Sequence, residues 1–481
     1  MKNSVFAVKT IFSILLVLSL SGCVTPPDLG EIPQPRSDLV SNENQGPGPA
    51  IYPEQDWWKI YKDPQLDALI HEGLLRSPNI AEASARLLKA DALLEQADAS
   101  SFPSVGADAS LQKHRQSYNN GVPAAFVPKG FQNAAIATLN ISYDIDFWGR
   151  NREILATVLS EREAARLEAE QAKMILSTSV AAMYAKLAQF YAELDEAKES
   201  VAVRLKTAQL FEKRYKNGLE NEGGVDQAKA SHASAEADVA AVEESIGLIR
   251  NGIAVLVGAL PSRAMTIERP RLSNISPFGI PAILPADLIS RRPDLIASRL
   301  KLEATAHRIN VARSGFYPNI NFAASLGHQS LGLDNFFKSG SLIGSIGPAI
   351  HLPIFDGKRI EGQYRDARAD YEVSLAQYEA VILQAMREVA DALVSKKALE
   401  RRAQKSKAAL TAAERAYKAI KNRYEGGLAT YLEVLRAEDT LISNRRIMVD
   451  LRTRSFTLDV ALVKSLGGGF QPTPEGTKAA S

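Results

Sequence analysis

Cysteine is almost missing from this chain. Cys23 is the only one in 481 residues, so no disulfide can close within a single chain and no cysteine pair can bind a metal. The six histidines (71, 114, 232, 307, 328 and 351) are scattered without ligand spacing. His328 and His351 read as lying on the polar faces of alternating segments, where lining a lumen suits them better than binding a metal. Net charge is small, at +2, and no basic stripe with interleaved aromatics points to nucleic acid. No glycine-rich phosphate loop and no nucleophile elbow occur, and Gly467-Gly468-Gly469 reads as a terminal turn. The sequence therefore offers no enzyme and no cofactor site. The longest apolar run, Ile11–Leu20, is too short to span a bilayer. Proline and glycine are both absent from Arg150 to Asn217, and Gly362 alone interrupts the matching later run near its start.

What is present comes twice. Pro78–Val225 is answered by Pro293–Val434, landmark for landmark. Ser77-Pro78-Asn79 matches Arg292-Pro293-Asp294, and Phe102-Pro103 matches Tyr317-Pro318. Phe147-Trp148-Gly149-Arg150 matches Phe355-Asp356-Gly357-Lys358. Arg214-Tyr215-Lys216-Asn217-Gly218-Leu219 matches Arg423-Tyr424-Glu425-Gly426-Gly427-Leu428. An internal duplication constrains architecture more than any single motif does.

Each copy predicts a helix, two strands, a very long helix, a sharp turn and a further helix. The strands alternate: Val105, Ala107, Ala109 and Leu111 interleave with Ser104, Gly106, Asp108 and Ser110, and Leu139, Ile141, Tyr143 and Ile145 with polar neighbours. In the second copy Ile320, Phe322, Ala324 and Leu326 share a face, as do Ile346, Ile350, Leu352 and Ile354. A period of two gives one apolar and one polar face, which fits either hairpins on a soluble core or membrane strands of about ten residues. The helices decide between them. Leu176, Val180, Met183, Leu187, Phe190, Leu194, Ala197 and Val201 keep a strict 4-3 spacing, as do Tyr371, Leu375, Tyr378, Ile382, Ala385, Val389 and Ala392. That is coiled-coil spacing, and each uninterrupted helix would run about 100 Å. Four strands cannot close a barrel, because closure needs about eight, and an open sheet in lipid leaves unsatisfied edges. Strands in a membrane would therefore require a homo-oligomer.

Lys2, Lys9, the short apolar run and Leu20-Ser21-Gly22-Cys23 resemble a bacterial lipobox, with residues 1–22 as signal peptide and Cys23 as the lipidated residue. The alternative is an ordinary secretory signal with an incidental cysteine. Multiple acyl chains would anchor firmly where one is marginal. Val24, where an Asp would signal inner-membrane retention, favours the outer membrane. Residues 23–55 read as a lipidated, extended linker, and residues 470–481 as a flexible tail.

Asp56-Trp57-Trp58-Lys59-Ile60-Tyr61-Lys62-Asp63-Pro64, the Ser-Pro-Asn and Arg-Arg-Pro-Asp repeat starts, Asp146-Phe147-Trp148-Gly149, Pro353-Ile354-Phe355-Asp356-Gly357, the two Arg-Tyr-x-x-Gly-Leu turns and Leu466-Gly467-Gly468-Gly469 occur in order. In these motifs the chain resembles the TolC superfamily of outer-membrane efflux proteins, in its lipoprotein (OprM-like, NodT-type) branch. The resemblance covers essentially the whole mature chain. It implies a mainly α protein with a membrane β-barrel: first repeat 56–270 (strands about 103–147, long helix about 150–217) and second repeat 271–469 (strands about 318–355, long helix about 358–425). A homotrimer would complete a twelve-stranded barrel and a periplasmic helical tunnel. The implied partners are a periplasmic adaptor protein, an inner-membrane RND-type transporter and outer-membrane lipids. The implied activity is passive conduction of drugs or other small toxic compounds. A type I protein-secretion duct is the alternative, and a non-conducting coiled-coil spacer is a third reading that the alternating strands oppose.

Gly218, Leu219, Gly427 and Leu428 are then the adaptor-contact tips, and glycine there also serves as an ordinary helix stop. Leu432, Glu433, Arg436 and Asp439 correspond to the tunnel gate. Glu433 keeps the family's acid, Arg436 departs from it, and Asp439 stands where a base is familiar, a swap at i,i+3. The gate would be wired through Arg436–Asp439 or Arg436–Glu433 pairs between protomers, or Arg436 would simply extend its side chain into the tunnel. In the first copy Gly224 replaces an acid that braces the closed state in TolC itself.

Overall fold

The computed structural model describes residues 26–36, 53–271 and 291–471. Cys23, the signal segment, residues 37–52 of the expected linker and residues 472–481 of the expected tail lie outside these. The elements, in chain order, are α1 (Pro64–Arg76), α2 (Pro78–Ala99), β1 (Ser104–His114), β2 (Gln132–Ile145), α3 (Arg150–Lys216), α4 (Glu222–Leu256), α5 (Pro293–Ser314), β3 (Asn319–Leu331), β4 (Leu342–His351), α6 (Arg359–Glu425) and α7 (Tyr431–Ser465). The duplication holds to the residue: α2 and α5 both have 22 residues, α3 and α6 both 67, and α4 and α7 both 35. Among the described residues no helix is long and apolar enough to cross a membrane.

Two compact units divide the chain. One takes Leu88–Ala164 and Ser298–Gln377 together with the segment up to Gln34. Its sheet has the order β1-β2-β3-β4, antiparallel throughout. The register collects the alternating residues into rows: Val105 opposes Ile141, Ile141 opposes Ala324, and Ala324 opposes Ile346. This apolar face is bare, with Ile346 77% and Ile350 68% exposed. The other face is a hydrogen-bonded polar lattice. Asn140 donates to Asp108 (2.6 Å), Ser142 bonds Asn321, and Ser325 meets Ser345 at 2.8 Å. Cross-strand pairs of this kind stabilise a sheet face that water can reach.

Two expectations are corrected by this register. His328 opposes Ala137 and Leu342, in the apolar row that begins at Ile320, because even positions of β3 all share that face. Its ring lies 5.9 Å from Phe336. His351 does belong to the polar row, opposite Asn319. Leu352 and Ile354 fall beyond the end of β4, at His351, where Pro353 follows and cannot donate to the ladder.

Each strand-to-helix junction is held by an aspartate. Asp146 accepts from the Asn151 and Arg152 amides (3.0 Å each), and Asp356 from Lys358 and Ile360 (3.1 and 2.8 Å). Trp148 stacks on Tyr317 and donates its indole N–H to the Pro318 carbonyl at 2.8 Å, tying the first copy to the start of β3.

The second unit takes Pro35–Leu87, Ala165–Ala297 and Tyr378–Ser481. Its core gathers Trp57, Trp58, Tyr61, Leu66 and Leu69 against α3 (Leu176–Leu194), α4 (Ile246, Ile253) and α7 (Phe456, Val460, Val463). Polar anchors thread it: Tyr61 donates to Asp459 (2.6 Å) and Tyr184 to Asp63 (2.8 Å), while Asp63 also caps α1. The Trp-Trp segment is thus a core plug and not a surface motif. The heptad positions Tyr371 to Ala392 are buried without exception. In α3 the run is buried at Leu176, Val180, Leu187, Leu194 and Ala197. The repeat starts are fixed too: a β-carbon on Gly258 or Gly467 would fall 2.4 or 2.5 Å from the carbonyl of Arg76 or Arg291.

Candidate functional site

The free ends of the two long helices are built alike. Gly218 and Gly427 adopt φ +69° and +75°, a left-handed turn that costs glycine little. Leu219 then returns its amide to the Arg214 carbonyl (2.9 Å) and Leu428 to Arg423 (2.8 Å), while Gly218 and Gly427 bond Tyr215 and Tyr424. Both ends are Schellman stops. The closure satisfies backbone carbonyls and pushes both leucines outward, Leu219 64% and Leu428 72% exposed. The next helices begin three residues later. Asn221 accepts the Gly224 amide (2.9 Å), and Thr430 forms a capping box with Glu433.

Beneath the tips sits a small core shared by both copies: Phe211, Val225, Ala228, Tyr424 and Val434. Phe211 stacks on Tyr424 (5.5 Å, 4°) and tilts against Tyr431 at 4.0 Å. The Tyr424 hydroxyl reaches Glu220 in the opposite tip at 3.2 Å, and the Arg214 guanidinium covers its ring at 4.7 Å. Gly224 lies beside Glu220, whose carboxylate oxygen would be 3.1 Å from an added β-carbon.

The residues expected at the gate occupy one exposed face of α7: Leu432, Glu433, Arg436 and Asp439, opposite buried Val434, Ala437, Glu438 and Leu441. They do not pair with one another. The Glu433 carboxylate accepts from the Thr430 amide (2.5 Å) and hydroxyl (2.9 Å), which hold it below the usual carboxylate range. Asp439 turns away from Arg436 and binds Arg204 of α3 at 2.8 Å. Arg436 has no ion pair among the described residues. With Glu433 and Thr440 it borders a shallow groove whose far wall is Ala413, Ala416 and Ile420 of α6.

One residue of this region escaped sequence reasoning. Glu438 is 1% exposed; Thr207 donates to it at 3.2 Å, and Arg204 stands 3.9 Å away, shared with Asp439. One of its oxygens has no hydrogen-bond partner. Burial pushes its carboxyl upward, and Arg204 and Thr207 offset that only in part. Burial and then this carboxylate push the Tyr417 phenol up to about 12. A carboxylate between the apolar positions Val434 and Leu441 was the available signal.

A bare apolar strand face, polar on its reverse, together with paired coiled-coil rods, defines a channel-type outer-membrane protein. The family model for outer membrane efflux proteins matches residues 69–259 and 284–468, and the chain belongs to that family. It is 30% identical over 430 residues to the multidrug resistance outer membrane protein MdtP of Shigella flexneri, covering 88% of each chain. It is 32% identical over 365 residues to the fusaric acid resistance protein FusA of Burkholderia cepacia (73% of this chain, 68% of that one). Among solved structures, the outer membrane protein VceC of Vibrio cholerae superposes with a TM-score of 0.83 at 43% identity, over 87% of this chain and all of that one.

Proposed function

We propose that the chain is the exit duct of a tripartite efflux pump, carrying drugs or other small toxic compounds from an inner-membrane RND-type transporter and a periplasmic adaptor to the outside. The observation that carries this reading is the four-stranded sheet with two unpaired edges, β1 and β4, and one bare apolar face. In lipid each unpaired backbone group costs several kcal/mol, so three chains would close one barrel of about twelve strands. The relatives' names, multidrug and fusaric acid resistance, support this substrate class.

In this assembly Cys23 takes the acyl chains and anchors the protein in the outer membrane. The tips at Gly218-Leu219 and Gly427-Leu428 meet the adaptor through their two outward leucines. Leu432, Glu433, Arg436 and Asp439 ring the constriction, with Arg436 as the cation turned toward the channel axis. The duct does no chemistry; selection belongs to the transporter.

The test is mild crosslinking in cells, purification through a C-terminal tag, native mass measurement and identification of the co-purifying proteins. A trimer with an adaptor and an RND transporter is expected. A trimer with an ABC exporter would move the protein to type I secretion, and a partnerless monomer would overturn the duct.

A further inference from the structure

The two copies match in helix length and, over one stretch, are opposite in charge. Residues 187–246 of the first copy carry seven basic and twelve acidic side chains, net −5. Residues 396–455, their counterparts 209 positions on, carry fifteen basic and seven acidic, net +8. Within the chain the two copies meet through this difference. Glu199 of α3 binds Arg445 of α7 at 2.9 Å, Asp238 of α4 binds Arg446 at 2.7 Å, and Glu196 lies in the field of Arg445 and Arg452.

The duplication carries this seam to a second place. Adding 209 to the α3 side turns Glu196 into Lys405 of α6, and subtracting 209 from the α7 side turns Arg445 and Arg452 into Glu236 and Glu243 of α4. At these three positions the charge is inverted and the complementarity kept, while Glu199, Asp238 and Arg446 fall on the uncharged Ala408, Ile447 and Ala237. Arg401 and Arg402 lie about one turn before Lys405, and all five of these side chains belong to exposed residues. Glu236 and Glu243 make only loose contacts within their own chain, with His232 at 3.7 Å and Lys198 at 3.8 Å.

We propose that the basic stripe Arg401-Arg402-Lys405 of α6 docks on the acidic stripe Glu236-Glu243 of α4 in a second copy of this chain. The inference rests on the trimeric reading above. A head-to-tail contact of this kind closes a ring when it repeats. Exposed ion pairs add little affinity singly, but complementary faces fix register and reject wrong partners. The inverted signs do this here: the glutamates on α3 accept α7 and repel α4, and the cations on α6 accept α4 and repel α7 of a neighbour. The two seams of the ring cannot be exchanged.

The test is disulfide trapping in the full-length protein in its own membrane. Glu236→Cys with Ala408→Cys reproduces, between chains, the places held by Glu199 and Arg445. It should give reducible dimers and trimers on denaturing gels. Each single variant controls for bonds to Cys23, and Glu222→Cys with Ala408→Cys is the off-register control. Arg402→Glu with Lys405→Glu should abolish trapping, and adding Glu243→Lys should restore it. Equal trapping in the off-register pair, or a bond confined to one chain, would overturn the proposal while leaving a trimeric native mass intact. A monomeric native mass would remove the trimeric reading and the proposal together.

Discussion

Arg204 of the first copy and Asp439 of the second meet at 2.8 Å, and the same guanidinium stands 3.9 Å from buried Glu438. The three side chains are not equivalent. Asp439 is 56% exposed at its side chain, so its ion pair is worth at most about 1 kcal/mol. Removing Arg204 strands a buried carboxylate, a change that costs about 3 kcal/mol. Arg204→Ala should therefore lower the unfolding temperature of the purified protein far more than Asp439→Ala. Equal effects would show that Glu438 does not feel the cation.

The pH dependence follows from the same carboxyl. Its folded-state pKa is raised, chiefly by burial, so the folded state holds a proton that the unfolded chain has lost in the window between the two values. Stability should then rise as pH falls from the raised value toward the ordinary carboxylate pKa, and Glu438→Gln should remove that gain. Thermal unfolding of both proteins across this window, taken as a difference, isolates the group.

At the proposed constriction, charge should set ion preference. Arg436→Ala removes an exposed cation without touching the Asp439–Arg204 pair, so single-channel recordings should move toward cation selectivity with unfolding unchanged. Glu433→Ala should do two things: shift selectivity the other way and cost about 1 kcal/mol through loss of the capping box. Unaltered conductance, selectivity and antibiotic leak in Arg436→Ala would remove this residue from the gate.

The tip core predicts a size series. Phe211→Ala empties a fully buried site stacked on Tyr424 and should cost about 3–5 kcal/mol, with faster proteolysis at the tips. Tyr424→Phe keeps the ring and loses only the bond to Glu220, so its cost should be about 1 kcal/mol.

Cys23→Ser should abolish incorporation of radiolabelled fatty acid. Retained label would assign the acylation elsewhere.

Much of this was legible in the sequence because it rests on periodicity. The 4-3 spacing from Tyr371 to Ala392 translates directly into buried positions, and the alternation in β1 to β3 into two faces. His328 defeats the rule that a polar side chain marks a polar face, because strand parity depends on position alone. The tip glycines could be read as stops since a Schellman turn is local. What could not be read was side-chain choice among long-range partners: Asp439 selects Arg204, 235 residues away, over Arg436 on the adjacent turn. Tyr215 and Tyr424 hold matching positions, yet Tyr215 is 45% exposed and Tyr424 2%, since Phe211 and Glu220 cover only the latter.

The equal helix lengths, 67 with 67 and 35 with 35, make the protein's reach a quantity that changes only in steps. One residue inserted in α3 alone would advance everything beyond it by about 1.5 Å and turn it by about 100°, taking each seam residue off its partner. An insertion is silent only as a whole heptad, about 10.5 Å, entered in both outgoing helices and again in both returning ones. Relatives of different reach should differ by such fourfold, seven-residue increments, and a lone insertion should survive only in the loops between strands.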